Sequence, residues 1–250
     1  MTGPSFGRLL SSEARKLCSV PGPALTLFLA LIVLAGAGPL AAFAAANHAG
    51  ETLASPPAAG PLWLAGAQAA QVLVALAGSA SASAEVNTGT IAPTLLAAGR
   101  RLPALLAKAT LFGAIAATLG GAGLVLSGFL TATIHPEAGS GGLPAVAGSA
   151  ALLGGGAVLG VCLATLARRT LAATLWVLGL FVFAPLLLGT LPVSGAARAS
   201  TWFPAPAGLA MLLPGTPTAT LSPGTGALIT LSWVLGVLAL ASWRFYRRDA

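Results

Sequence analysis

The chain has 250 residues, 56% of them hydrophobic and only 7% charged, with a mean hydropathy of +0.92. A soluble domain carries roughly 25% charged residues, so twelve basic and five acidic side chains cannot clothe a water-facing exterior, and most of that exterior must face lipid. The 32 glycines and 18 prolines do not signal disorder, because they sit inside long apolar runs. Nor do a net charge of +7 and a pI of about 11.1 indicate a nucleic-acid partner, since the basic residues form small groups at the ends of those runs.

The chain opens on a mixed segment, residues 5–18, with Phe6, Leu9, Leu10 and Leu17 on one side and Glu13 and Lys16 on the other. This pattern predicts a helix lying along the membrane surface. The apolar stretch that follows is too long for a signal-peptide core of about 7–15 residues, so an anchored chain is expected. A helix needs about 20 mainly apolar residues to cross the hydrocarbon core, and six segments qualify. They are predicted at about 24–46, 61–81, 105–134, 143–167, 171–191 and 226–243. The third exceeds the required length, which predicts tilt or a partly interfacial course. The fourth and fifth are separated only by Arg168, Arg169 and Thr170, a tight turn. An outer segment, 192–224, precedes the last span and is expected to be partly ordered. The predicted fold is thus an all-α polytopic membrane protein, a single domain over residues 1–250 with six transmembrane helices.

Lysine and arginine are retained on the cytoplasmic side of a membrane. Arg8, Arg15 and Lys16 precede the first span, and Arg100, Arg101 and Lys108 lie between the second and third. Arg168 and Arg169 join the fourth and fifth, and Arg244, Arg247 and Arg248 follow the sixth. Six crossings put all of these on one side and leave only Arg198 on the other. Both termini are therefore expected to be cytoplasmic, in the cell membrane. Cys18 and Cys162 map to the cytoplasmic half and are expected to be free thiols.

The spans hold almost no ionisable groups of the kind that marks proton relays or ion sites. Lys108 sits near the mouth of the third span, where it can snorkel to the interface. Glu51, Glu137, His48 and His135 fall in outer loops. Gln68 and Gln71, three residues apart on the second span, share a helix face. They would serve either as an interhelical hydrogen bond or as a polar spot on a translocation path. The runs Gly120-Gly121 and Gly154-Gly155-Gly156 read as close-packing positions, with local unwinding as the alternative. No paired His or Cys motif suggests a metal, and no nucleophile elbow suggests hydrolysis, so enzymatic activity is not expected.

The connection at 84–104 carries the most information. Glu85 ends the second span, Gly89 allows a turn and Thr90 can cap a short helix. Ile91, Leu95 and Leu96 give that element an apolar side, and Arg100 and Arg101 precede the next span. Such a surface-lying amphipathic element suits a soluble partner. Glu85 is expected either to pair with Arg100 or Arg101 across the loop or to remain a solvated interfacial carboxylate.

These residues resemble the permease subunits of type-two ABC transporters, in their small six-span form. The loop pattern of that family falls on Glu85, Gly89-Thr90-Ile91, Leu95-Leu96, Arg100-Arg101 and Lys108. The run Ser12-Glu13-Ala14-Arg15-Lys16-Leu17 is similar to the family's helix before the first span. Pro204-Ala205-Pro206-Ala207-Gly208 and the tail Arg247-Arg248-Asp249 are similar to further family segments. Val86, Asn87 and Ala92 depart from its aromatic and basic residues. The resemblance implies two six-span units, a homodimer or a pair with a related chain, each resting on an ABC ATPase subunit. The 84–104 segment would act as a coupling helix on that ATPase, through Glu85, Gly89, Thr90, Ile91, Leu95, Leu96, Arg100 and Arg101. The sequence itself lacks the Gly-Lys-Ser/Thr of a phosphate-binding loop. No cofactor is expected on this chain, and ATP and magnesium belong to the partner. The expected function is export of an apolar or amphipathic compound; a membrane scaffold recruiting a cytoplasmic protein, or a secondary carrier, are the alternatives.

Overall fold

The computed structural model describes residues 5–48, 61–87, 101–136, 142–167, 169–193, 195–212 and 221–246. Among these residues the chain is helical, without strands. The helix α1 (Phe6–Ser19) is followed directly by α2 (Pro21–His48), with Pro21 opening the new helix where its missing N–H costs nothing. A 3-10 turn, Leu62–Leu64, leads into α3 (Ala67–Asn87). Next come α4 (Arg101–Ile134), α5 (Gly142–Ala167) and α6 (Thr170–Thr190), the last interrupted by a π-turn at Gly179–Phe183. Two short helices, α7 (Ala196–Ser200) and α8 (Pro204–Ala210), precede α9 (Pro223–Tyr246). Six of these helices, α2 to α6 and α9, are long and apolar enough to cross a bilayer.

The second candidate span, Leu62–Glu85, begins where hydropathy places it and ends further along the chain. It opens on the 3-10 turn Leu62–Leu64, and the helix continues through the serine-rich stretch to Asn87. Ser79 and Ser83 can stay helical in an apolar setting because their hydroxyls donate back to the Leu76 and Ser79 carbonyls, at 3.0 and 2.8 Å.

Small residues set the helix crossings. A Cβ on Gly66 would strike the Val33 carbonyl, and one on Gly123 would strike Leu34, so α2 packs tightly against the start of α3 and against α4. Ser127 of α4 donates to the Trp63 carbonyl at 3.0 Å, and Ser149 of α5 donates to the Gly120 carbonyl at 2.9 Å. The adjacent glycines of α5 face three different neighbours: Gly154 meets Gly113 and Ala117 of α4, Gly155 meets Thr230 and Val234 of α9, and Gly156 meets Gln71 of α3. They lie in unbroken helix, so they serve packing at the hub of the bundle, where apolar lipid gives no hydrophobic drive and close backbone approach must supply the attraction. The hub helices α3 and α5 are the most buried of the six, and α6 and α9 the least.

The same pairings fix direction. Rising numbers in α2 meet rising numbers in α4 and falling ones in α3; α3, α5 and α9 run together. Successive spans therefore alternate, and Arg244 of α9 donates from Nη1 to the Leu166 carbonyl of α5 at 2.9 Å. The described lysines and arginines collect at that end of the bundle, apart from Arg198 of α7.

The segment before α9 does not stay at the end of the bundle opposite the basic one. Beyond Gly195, whose φ of +96° suits glycine, α7 leads down to Trp202 and Phe203, level with Trp233 half-way along α9. There α8 turns back, burying Pro204, Ala205, Ala207 and Gly208 among α3, α5 and α9. A reversal at such depth has carbonyls that lipid cannot satisfy. Trp233 Nε1 donates to the Trp202 carbonyl at 2.8 Å, and the Gln71 amide reaches the Pro204 carbonyl at 3.5 Å. The outer segment is thus a re-entrant hairpin in the described part.

Candidate functional site

Four charged side chains from three helices meet at the basic end. Lys16 Nζ lies 2.6 Å from Glu13 Oε1 and 2.9 Å from Glu85 Oε1. Lys108 Nζ lies 2.7 Å from Glu13 Oε2 and 3.0 Å from Glu85 Oε1, and donates to Ser81 Oγ at 3.3 Å. Each ammonium bridges both carboxylates, so the ring carries no net formal charge. Glu13 and Lys108 are only 4% and 6% exposed. Lys108, expected to snorkel outward, turns inward instead because two carboxylates meet it there. The ring pins α1, which also packs along α2 and α4, to the end of α3 and the start of α4.

Burial by itself would raise the pKa of Glu13, but the ammoniums of Lys108 and Lys16 outweigh it and hold the carboxyl below its ordinary 4.5. Burial would likewise lower Lys16, yet its bonds to Glu13 and Glu85 prevail and hold it above its ordinary 10.5. A carboxyl with a depressed folded pKa contributes stability above its unfolded value, lost as pH falls through the folded one. A raised lysine contributes stability below its unfolded value, lost as pH rises through the folded one. Thermal unfolding in mild detergent should therefore show a plateau between about pH 4.5 and 10.5 for this contribution, falling on both sides. In Glu13→Gln the acid limb should shrink relative to the unmodified chain; an unchanged limb would show that Glu13 does not carry it.

The segment between α3 and α4 contains most of the expected coupling residues. Gly89, Thr90, Ile91, Leu95, Leu96 and Arg100 lie outside the described residues, as does the side chain of Arg101, whose backbone opens α4. The expected pairing of Glu85 with Arg100 or Arg101 falls there too; the described partners of Glu85 are Lys16 and Lys108. The role of Lys108 toward Glu13 and Glu85 was missed from sequence. Its signal was a cation set inside an apolar run, which requires a partner.

Gln68 and Gln71 are not brought together. Gln68 is exposed, whereas Gln71 is fully buried against α5 and the hairpin, with Oε1 lacking a hydrogen-bond partner. Cys18 is an exposed free thiol and Cys162 a buried one. Among the described residues, no group of three or more His, Cys, Asp or Glu could hold a metal ion. No family model matches this chain, and no curated protein matches it significantly.

Proposed function

We propose that this chain is the membrane-spanning permease subunit of an ATP-driven exporter of the type-two ABC kind, working with a second copy or related chain and a separate ATPase. The observation that supports it most is the four-charge ring. It fastens α1 to both helices that flank residues 88–100, so a force applied to that segment by a soluble partner would move α1, α3 and α4 as one body. The basic end faces the cytoplasm, with both termini there, by the retention of lysine and arginine. The partner supplies ATP and magnesium, since this sequence has no phosphate-binding loop. The cargo is apolar or amphipathic, in keeping with the scarcity of charge within the spans.

The test is purification of the tagged chain in mild detergent from cells expressing its own neighbours, with co-purifying subunits identified by mass. A stoichiometric subunit carrying a Gly-Lys-Ser/Thr loop is the expected result, and Gly89→Pro should abolish export while membrane insertion stays normal. A chain that purifies alone from several gentle detergents would overturn the proposal and favour a carrier; a partner without ATPase activity would favour a scaffold.

A further inference from the structure

Between α5, α6 and α9 an apolar cleft of about 390 Å³ opens on the outer face of the bundle. Leu163, Trp176, Gly179, Leu180, Trp233 and Val237 line it, and Phe203, stacked on Trp233 with ring centroids 6.0 Å apart, closes its far end. The indole N–H of Trp233 is already engaged, because Nε1 donates to the Trp202 carbonyl. The cleft lies at the middle depth of helices long enough to span a bilayer, between the two least buried of them. Its mouth therefore opens into hydrocarbon, and hydrocarbon is what can fill it.

Two arginines stand at the basic end of the same groove. Arg169 heads α6 as its N-cap residue, seven positions before Trp176, and Arg244 follows Val237 on α9 by the same spacing. Seven residues is close to two helical turns, so Arg244 lies on the Val237 side of α9, and both arginines stand about 10 Å nearer the basic end than the cleft, Arg169 on the extended residue that precedes α6. Arg169 is exposed, and Arg244 is anchored through Nη1 to the Leu166 carbonyl, three residues beyond the cleft residue Leu163. No carboxylate occurs within α5, α6 or α9 themselves. Two cations at the basic end of helices that line an apolar cleft are the complement of an anionic phospholipid.

We infer that this groove is a binding site for an anionic glycerophospholipid, its phosphate held by Arg169 and Arg244 and an acyl chain running along the cleft to Phe203. The site does not depend on the exporter reading, because it needs neither an ATPase nor a second copy. The full-length chain, equilibrated with vesicles of equal parts phosphatidylglycerol and phosphatidylcholine and extracted in mild detergent, should retain phosphatidylglycerol in about tenfold preference when its bound lipids are weighed by native mass spectrometry. The double variant Arg169→Gln, Arg244→Gln should bring the two lipids close to parity. Gly179→Leu should reduce retention of both, since a Cβ at Gly179 meets nothing within 4 Å and a larger side chain would occupy the cleft without displacing the fold. Equal retention of the two lipids by the unmodified chain would overturn the inference. So would a preference unaffected by the double variant, or unchanged lipid occupancy in a folded Gly179→Leu chain.

Discussion

Replacing Lys108 with methionine should destabilise the chain by about 3–5 kcal/mol, the cost of leaving a buried charge without its partner. The ammonium lies 2.7 Å from Glu13 Oε2, and both side chains are almost wholly buried. Methionine fills a similar volume, so the loss comes from charge and not from a cavity. Without Lys108, two carboxylates share the single ammonium of Lys16, and Glu13 has no water to turn to. Adding Glu13→Gln should restore much of the loss, because Lys16 and Glu85 then remain as a balanced pair at 2.9 Å. Denaturant unfolding in mild detergent measures both effects, and trypsin cleavage after Arg15 reports whether α1 has left the bundle. A loss below about 1 kcal/mol in Lys108→Met would mean the ring behaves as a solvated surface pair.

The second large effect is expected from one methyl group. In Gly160→Ala the new Cβ would land on the backbone carbonyl of Ala75, which no side-chain rotation can clear. The α3–α5 crossing must then open, at a cost of about 1–3 kcal/mol or somewhat more. The matched control is Gly236→Ala on α9, where a Cβ meets nothing within 4 Å. There alanine should be neutral or stabilising by up to about 1 kcal/mol through helix propensity. Unfolding midpoints of the two variants should move in opposite directions or differ by the full crossing penalty. Equal behaviour would mean that α3 and α5 do not touch as described.

This pair of glycines shows how far the sequence can be read. Both lie in apolar runs that hydropathy scores alike, and nothing local separates them. What separates them is the neighbour that the bundle places opposite each one. The glutamines make the same point: a shared helix face was legible from their spacing, yet only Gln71 is buried, because the hairpin through Pro204 covers that position and leaves Gln68 exposed. The ring was partly legible. Glu13, Lys16 and Glu85 stood out as charges beside apolar runs, but Lys16 and Glu85 are 69 positions apart, and their meeting depends on how α1 lies against α2 and α4.

The sequence by itself determined that six helices are long and apolar enough to cross a membrane, about where they lie, and that the basic residues sort to alternate connections. Lipid imposes those features locally, since each crossing must satisfy its own backbone and hide no charge, and both demands are written in about 20 consecutive residues. The tertiary structure alone decided which charges pair, which glycines are indispensable, and that the segment ahead of α9 dives back to the level of Trp233. That segment is interrupted by glycine and proline and carries Arg198, so its composition reads as an outer loop. Its burial becomes possible only because Trp233 and Gln71, on two other helices, stand where its freed carbonyls need donors.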